Sequence, residues 1–192
     1  MLAVITTACL APAALAATAP TKPTKVTKSE YTLHYKQATK AASFVSAQIT
    51  KLQVYAGTCK IVKTLGGQAK GGFDEALDLE RTSLPDKLHE VNRESELHSW
   101  AAGLAARAAA YTGSHGDDVT SASQDIVQGL GNLSEAVSRL ILQTNTLAGL
   151  NCTSNDDLTK AITASGEAGD QLNRGFGELA KATPGVKPPP HK

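Results

Sequence analysis

Apolar residues recur three and four positions apart along most of the 192-residue chain, the spacing that places side chains on one face of an α-helix. The longest stripe begins after Ser29 and ends before Gly66. The most regular stripe follows Asp117 and repeats every seven residues, at Val119, Ile126, Leu133, Leu140 and Leu147. We find no alternating β-branched segments joined by hairpin turns, so the pattern predicts an all-α fold.

Two more helices are predicted between and after these stripes. One begins at the N-cap-like segment 83–86 and ends near Gly113, after a short helical turn at 74–80. The other begins at Thr153 or Ser154 and extends to Pro184. The predicted links are short: 66–72, 113–116 and 151–153. Because short links favour antiparallel neighbours, we predict an antiparallel up-down-up-down four-helix bundle.

Residues 1–16 have the composition of a secretory signal peptide. They contain no charged side chain, and an apolar run is followed by small residues that match the A-x-A cleavage pattern. We therefore expect cleavage after Ala16, or alternatively after Ala19. A membrane anchor is the other interpretation, but the stretch is shorter than about 18 residues and Pro12 interrupts it. No later run is apolar enough to span a bilayer, so we expect a secreted protein, outside the cell or at its wall.

Segments rich in Pro, Thr and Lys flank the predicted bundle. Residues 17–29 are predicted to form a linker and residues 184–192 a Pro-rich tail. Their composition is typical of extended, disordered chain. We expect both segments to project from a compact body formed by residues 30–183.

Signal cleavage would leave two cysteines, Cys59 and Cys152, in an exported chain. One disulfide between them is the simplest prediction for an oxidising compartment, and a pair of buried free thiols is the alternative. In the predicted topology, the end of the first helix and the last interhelical loop lie at the same pole, where these two residues fall. In a eukaryotic source, export also makes the sequons at Asn132 and Asn151 candidate N-glycosylation sites.

The composition and the motifs argue against several classes of function. A formal net charge of +1 argues against a general nucleic-acid-binding protein, whose affinity comes from neutralising phosphates. His89 and Glu90 begin like a zinc-protease signature, but Arg93 stands where the second histidine is needed. Ser114 and His115 are adjacent in the chain, which rarely gives a productive nucleophile and base. We therefore predict a protein without enzymatic activity, metal or cofactor.

Charge is unevenly distributed along the chain. Between Lys22 and Gly72, nine lysines stand against a single acid, Glu30, whereas residues 73–134 contain an excess of acidic residues. We expect the two sets to pair with each other within the bundle. A basic face that meets acidic glycans or an anionic surface is the alternative.

Small residues are frequent in the later helices. The segment from Ala101 to Ala110 is mostly alanine. Six glycines follow at Gly129, Gly131, Gly166, Gly169, Gly175 and Gly177. Such helices either pack closely or, if they stay apart, leave an apolar channel for a fatty acid or a sterol. A bundle of this kind can also open and lay its apolar faces on a hydrophobic surface.

The export signal, the aromatic-poor helices and the closing segment from Leu172 to Pro184 resemble fungal hydrophobic-surface-binding proteins and the related cell-wall galactomannoproteins. The resemblance implies adsorption to hydrophobic surfaces or sequestration of lipid at a cell wall, without catalysis. We therefore predict a secreted or wall-associated protein that binds a fatty acid, a sterol or a hydrophobic surface, with cell-wall glycan as a further candidate partner. A secreted interaction module, such as an inhibitor or a host-directed effector that uses a helix face, is the alternative.

Overall fold

The structure, a computed structural model, describes residues 22–92 and 94–188, except for the side chains of Pro85 and of residues 87–95. Within these ranges the chain is all-helical, as predicted. The helices are α1 (Lys28–Leu65), α2 (Gly67–Asn92), α3 (Glu94–Arg107), α4 (His115–Ala148) and α5 (Asp156–Ala182), with a 3-10 turn at Ala108–Ala110. Among them we find no helix with the length and apolar character needed to cross a membrane. The predicted signal peptide, with its cleavage site at Ala16, lies outside the described residues.

The start of α1 is fixed by a capping box. The Glu30 N–H donates to the Thr27 hydroxyl at 3.2 Å, and the Glu30 carboxylate accepts from the Thr27 N–H at 3.4 Å, which satisfies two N–H groups at the helix start. The helix ends where Gly66 adopts a φ of +59°, a conformation that favours glycine. One face of α1 enters the core with a seven-residue repeat, at Tyr31, Ala38, Val45, Leu52 and Cys59.

The region between α1 and α3 differs from the prediction. Most of 66–72, expected to be a loop, and all of 83–86, expected to be an N-cap, belong to the continuous helix α2. Contacts with α1 explain the difference. Phe73 and Leu77 are buried, and the Phe73 ring lies edge-on to Tyr55 with centroids 5.9 Å apart. Such tertiary packing outweighs the cost of about 1 kcal/mol for each helical glycine.

Contacts between the helices define their relative directions. α4 and α5 run antiparallel, because two ion pairs join the start of each helix to the later part of the other: Asp125–Arg174 and Arg139–Asp157. α1 and α5 are also antiparallel. Tyr31, at the start of α1, donates to the carbonyl of Phe176 near the end of α5 at 3.1 Å, whereas Cys59 reaches the loop that precedes α5.

The described parts of the predicted linker and tail lie against the helices. Val26 is buried, its backbone N–H donates to the Tyr111 hydroxyl at 2.7 Å, and Arg107 donates to two carbonyls of the same segment at 2.8 Å. At the other end, Val186 packs against the core. Residues 24–26 of the predicted linker therefore contact the helical body, and projection of the linker and tail as a whole stays a prediction. The rest of the linker and the end of the tail lie outside the described residues.

Candidate functional site

The predicted cysteine pair is present in the structure. The Sγ atoms of Cys59 and Cys152 lie 2.04 Å apart, at the distance of a disulfide bond, and both residues are buried. The bond joins the last turns of α1 to the loop between α4 and α5. It therefore fixes the pole of the molecule at which α1 ends and α5 begins.

The two sequons lie in different surroundings. Asn132 is half-buried on α4, and its side-chain amide donates to Gln171 of α5 at 3.0 Å. Asn151 is exposed in the loop between α4 and α5. Glycosylation at both positions stays a prediction, and Asn151 is the more accessible acceptor.

The residues considered for catalysis are only partly described. His115 begins α4, and its Nδ1 lies 3.2 Å from the Asp118 carboxylate on the next turn. Ser114 is the residue before the helix. The side chains of His89 and Glu90, and the whole of Arg93, lie outside the described residues. The absence of enzymatic activity stays a prediction.

The lysines of the basic segment face solvent rather than the acidic segment. Of the nine lysines between residues 22 and 72, Lys51 alone forms an ion pair within the described part of the chain, with the buried Glu80 of α2. Within the described residues, the expected pairing of the two sets of charges is therefore limited to this one pair. The other eight lysines of this segment form no ion pair with a described side chain.

Small residues close the interface between α4 and α5. A Cβ added to Gly175 would lie 2.7 Å from Ile126 Cγ1 and 3.0 Å from the Ile126 backbone nitrogen. A Cβ added to Gly129 would lie 2.8 Å from Leu172 Cγ. The two helices approach each other at these points as closely as glycine permits, so they leave no channel between them there.

On its other side, α5 is separated from α1 by a groove with a volume of about 230 Å³. Its walls are mostly apolar, with Tyr35, Ala38 and Ala42 from α1 and Gly169, Leu172 and Phe176 from α5. The exposed polar side chains of Thr39, Ser43 and Asn173 form its rim. A Cβ added to Gly169 would meet no atom within 4 Å, so this glycine borders open space. We call this feature the α1–α5 groove.

Two rings that line the α1–α5 groove, Tyr35 and Phe176, belong to a larger aromatic cluster. The Phe176 ring lies edge-on to Tyr35 and Tyr31, with centroids 5.2 and 5.6 Å apart, and Trp100 stacks on it at 6.1 Å. Trp100 also stacks on His34, with centroids 4.0 Å apart. Burial, together with the nearby Tyr35 phenol, raises the pKa of Tyr31 to about 12. Within the cluster, Tyr31 and Phe176 are buried, whereas Tyr35, Trp100 and His34 are half-buried.

Polar contacts hold this aromatic cluster in place. The Glu30 carboxylate accepts a hydrogen bond from Trp100 Nε1 at 2.7 Å and from the Arg107 guanidinium at 3.1 Å. Burial by itself raises the pKa of Glu30, but the hydrogen bonds from Arg107 and Trp100 outweigh it, so the pKa lies below its ordinary value. This network ties the start of α1 to α3 beside the groove.

The α1–α5 groove differs in chemistry from other hollows of the surface. Four larger ones each have charged side chains in their walls, such as Asp74 and Arg81 between α2 and α4 or Arg174 and Lys181 along α5. The groove has none among its lining residues. An apolar lining with a few polar groups at the rim is typical of sites for small apolar ligands.

Comparison of the chain with family models, with curated proteins and with solved structures gives no match. The site must therefore be interpreted from its own geometry. Sequence reasoning placed Tyr35, Ala38, Ala42, Leu172 and Phe176 on core-facing stripes and did not recognise a groove. The available signal was the small size of the residues on both facing helices, alanine on α1 and Gly169 on α5.

Proposed function

We propose that this chain is a secreted or wall-associated, non-catalytic binding protein that holds a slender apolar ligand in the α1–α5 groove. The observation that carries the proposal is the contrast between the two sides of α5. The side that faces α4 is closed by Gly129 and Gly175, whereas the side that faces α1 is open at Gly169 and lined by apolar and aromatic residues.

The size of the groove favours an alkyl chain over a fused-ring sterol. Its volume of about 230 Å³ is below the range of about 300–1,000 Å³ that is usual for drug-sized ligands. A narrow trough between two helices matches an extended chain that lies along it. Of the two ligand classes expected from the sequence, a fatty acid is therefore the better match.

Positively charged side chains that could attract the carboxylate of a fatty acid lie beside the groove. Lys36 and Lys40 directly follow the lining residues Tyr35 and Thr39 in α1, and both lysines are exposed. They form no ion pair within the described part of the chain. A carboxylate held near them would be stabilised by charge attraction, to a degree that decreases with salt.

The proposed architecture is an up-down-up-down bundle in which α2 and α3 together act as the second helix. Phe73, at the start of α2, contacts Tyr55 in the later part of α1, whereas Trp100 of α3 contacts His34 at the beginning of α1. α2 and α3 therefore follow one another in the same direction along α1. The bundle positions α1 beside α5, which the groove requires.

Secretion and the relation to fungal surface proteins remain parts of the proposal. A disulfide is typical of proteins that fold in an oxidising compartment, which supports export by the predicted signal peptide 1–16. The resemblance to hydrophobic-surface-binding proteins and cell-wall galactomannoproteins agrees with an apolar ligand. Adsorption to a hydrophobic surface is the broader form of the same function.

Native mass spectrometry of the protein secreted by its own cells tests the proposal. We expect the wild type to carry an additional mass of fatty-acid size that is lost on denaturation. A Gly169→Leu variant, which fills the groove, should lose this mass, whereas Gly131→Leu should keep it, because Gly131 also borders open space but lies on α4 away from the groove. Apo-protein in all three samples would contradict the proposal, and co-purification of one defined protein would favour the interaction module instead.

A further inference from the structure

Helix α1 carries apolar residues on two opposite faces. One face is buried in the core. On the other, which we call the outer face of α1, lie the apolar Leu33, Val54, Ile61 and Leu65 and the lysines Lys36 and Lys40, with the exposed Ser43, Ala47 and Thr58 among them. These residues follow one another at spacings of three, four or seven, which keep them on one side of a helix. Its four apolar side chains are between 55% and 68% exposed.

The concentration of exposed apolar side chains on this face is unusual within the molecule. The described residues include seven large apolar side chains that are exposed, and four of them belong to the outer face of α1. The other three, Leu79, Leu142 and Ile162, lie singly on α2, α4 and α5. Single exposed apolar residues are normal on protein surfaces, whereas a row of them marks an interaction surface.

The charge of α1 indicates what covers the outer face. The outer face contains two exposed lysines, Lys36 and Lys40, and no acidic residue; the one acid of α1, Glu30, is engaged by Arg107 and Trp100. A second copy of the chain would bring a second set of lysines to the same place without acids to pair with them. A partner with negative groups at its surface and an apolar interior satisfies both sets of side chains.

We propose that the outer face of α1 docks on an anionic lipid surface. The lysines then lie among the negatively charged headgroups, and Val54, Ile61 and Leu65 enter the boundary between headgroups and acyl chains, as in helices that lie in the plane of a membrane interface. A soluble polyanion would engage the lysines but would leave the apolar row in water. The apolar side chains of the outer face lie on a different side of α1 from the α1–α5 groove, whereas Lys36 and Lys40 lie next to both.

Co-sedimentation of the secreted, full-length mature protein with vesicles tests the inference. We expect binding to an equal mixture of phosphatidylcholine and phosphatidylserine and much weaker binding to phosphatidylcholine alone. The variant Val54→Gln/Ile61→Gln/Leu65→Gln should bind the mixed vesicles at least about tenfold more weakly. The variant Lys36→Gln/Lys40→Gln should lose about fivefold for each lysine.

A matched control separates the outer face from surface hydrophobicity in general. Leu79→Gln/Ile162→Gln removes two apolar side chains that are 66% and 43% exposed on other helices, and it should leave vesicle binding unchanged. Circular dichroism of every variant checks that the fold is kept, which we expect because all substituted side chains are exposed.

Three results would overturn the inference. The first is equal binding of the wild type and the triple apolar variant, which would indicate charge attraction alone. The second is absence of binding to the mixed vesicles. The third is a dimer in analytical ultracentrifugation that the triple variant abolishes, which would identify a second copy as the occupant. Gly169→Leu should bind vesicles normally, because Gly169 lies in the groove and not on the outer face. Failure of the docking inference therefore appears in vesicle binding, and failure of the groove proposal appears in the bound fatty-acid mass.

Discussion

Replacing Gly175 by alanine examines the closed side of α5, on which the interpretation of the groove depends. The added Cβ would lie 2.7 Å from Ile126 Cγ1 and 3.0 Å from the Ile126 backbone nitrogen. The backbone nitrogen cannot move aside without shifting α4, so we expect an overpacking cost of about 1–3 kcal/mol. Alanine also gains about 1 kcal/mol of helix propensity over glycine. The net effect is a loss of up to about 2 kcal/mol.

Gly131→Ala is the matched control for this substitution. Gly131 lies in α4, and an added Cβ there would meet no atom within 4 Å, so the variant should be more stable than the wild type by about 1 kcal/mol. Urea unfolding followed by far-ultraviolet circular dichroism, with the disulfide kept oxidised, measures both free energies of unfolding. The two variants should differ by the overpacking cost of about 1–3 kcal/mol. If Gly175→Ala is stabilised as much as Gly131→Ala, the helices are not in close contact and the reasoning is refuted.

Three further predictions concern the disulfide, Glu30 and the aromatic cluster. Replacing Cys59 and Cys152 by alanine should lower the free energy of unfolding by about 4–5 kcal/mol, because the disulfide closes a long loop in the unfolded chain. Denaturant unfolding measures this difference, and an unchanged unfolding midpoint would contradict the prediction. Because the pKa of Glu30 is lowered from 4.5, its stabilising effect is present above that pH and disappears as the pH falls through the lower folded value. Acid titration of stability should therefore show a smaller loss for Glu30→Gln than for the wild type, and identical curves would refute the role of the carboxylate. In an alkaline titration followed at the tyrosinate absorbance, one phenol should ionise at about pH 12, and Tyr31→Phe should remove that step and no other.

The sequence was sufficient to predict the helical class and the pairing of the cysteines. The core positions of α1 and α4 repeat every seven residues. This pattern predicts a helix even though Gly129 and Gly131 have low helix propensity. Cys59 and Cys152 were assigned to the same pole from chain direction alone, and this assignment is correct. Both predictions depend on local periodicity and simple topology.

The continuity of α2 and the open groove depend on contacts between distant segments. Glycines at 66–72 locally favour a loop, whereas the packing of Phe73 against Tyr55 favours a helix at this point of the chain. Alanine and glycine positions are equally compatible with a closed interface and an open one. The distances at Gly175 and Gly169 distinguish the two, and periodicity contains no information about those distances.

The most direct test of the proposed ligand site uses Trp100, the one tryptophan of the chain. Its ring stacks on Phe176 in the wall of the α1–α5 groove, 6.1 Å between centroids. A dibrominated stearic acid quenches tryptophan fluorescence only from close range. We predict saturable quenching in the wild type and in Gly131→Leu, and loss of quenching in Gly169→Leu. Equal quenching in all three proteins, or none in the wild type, would contradict binding of an alkyl chain between α1 and α5.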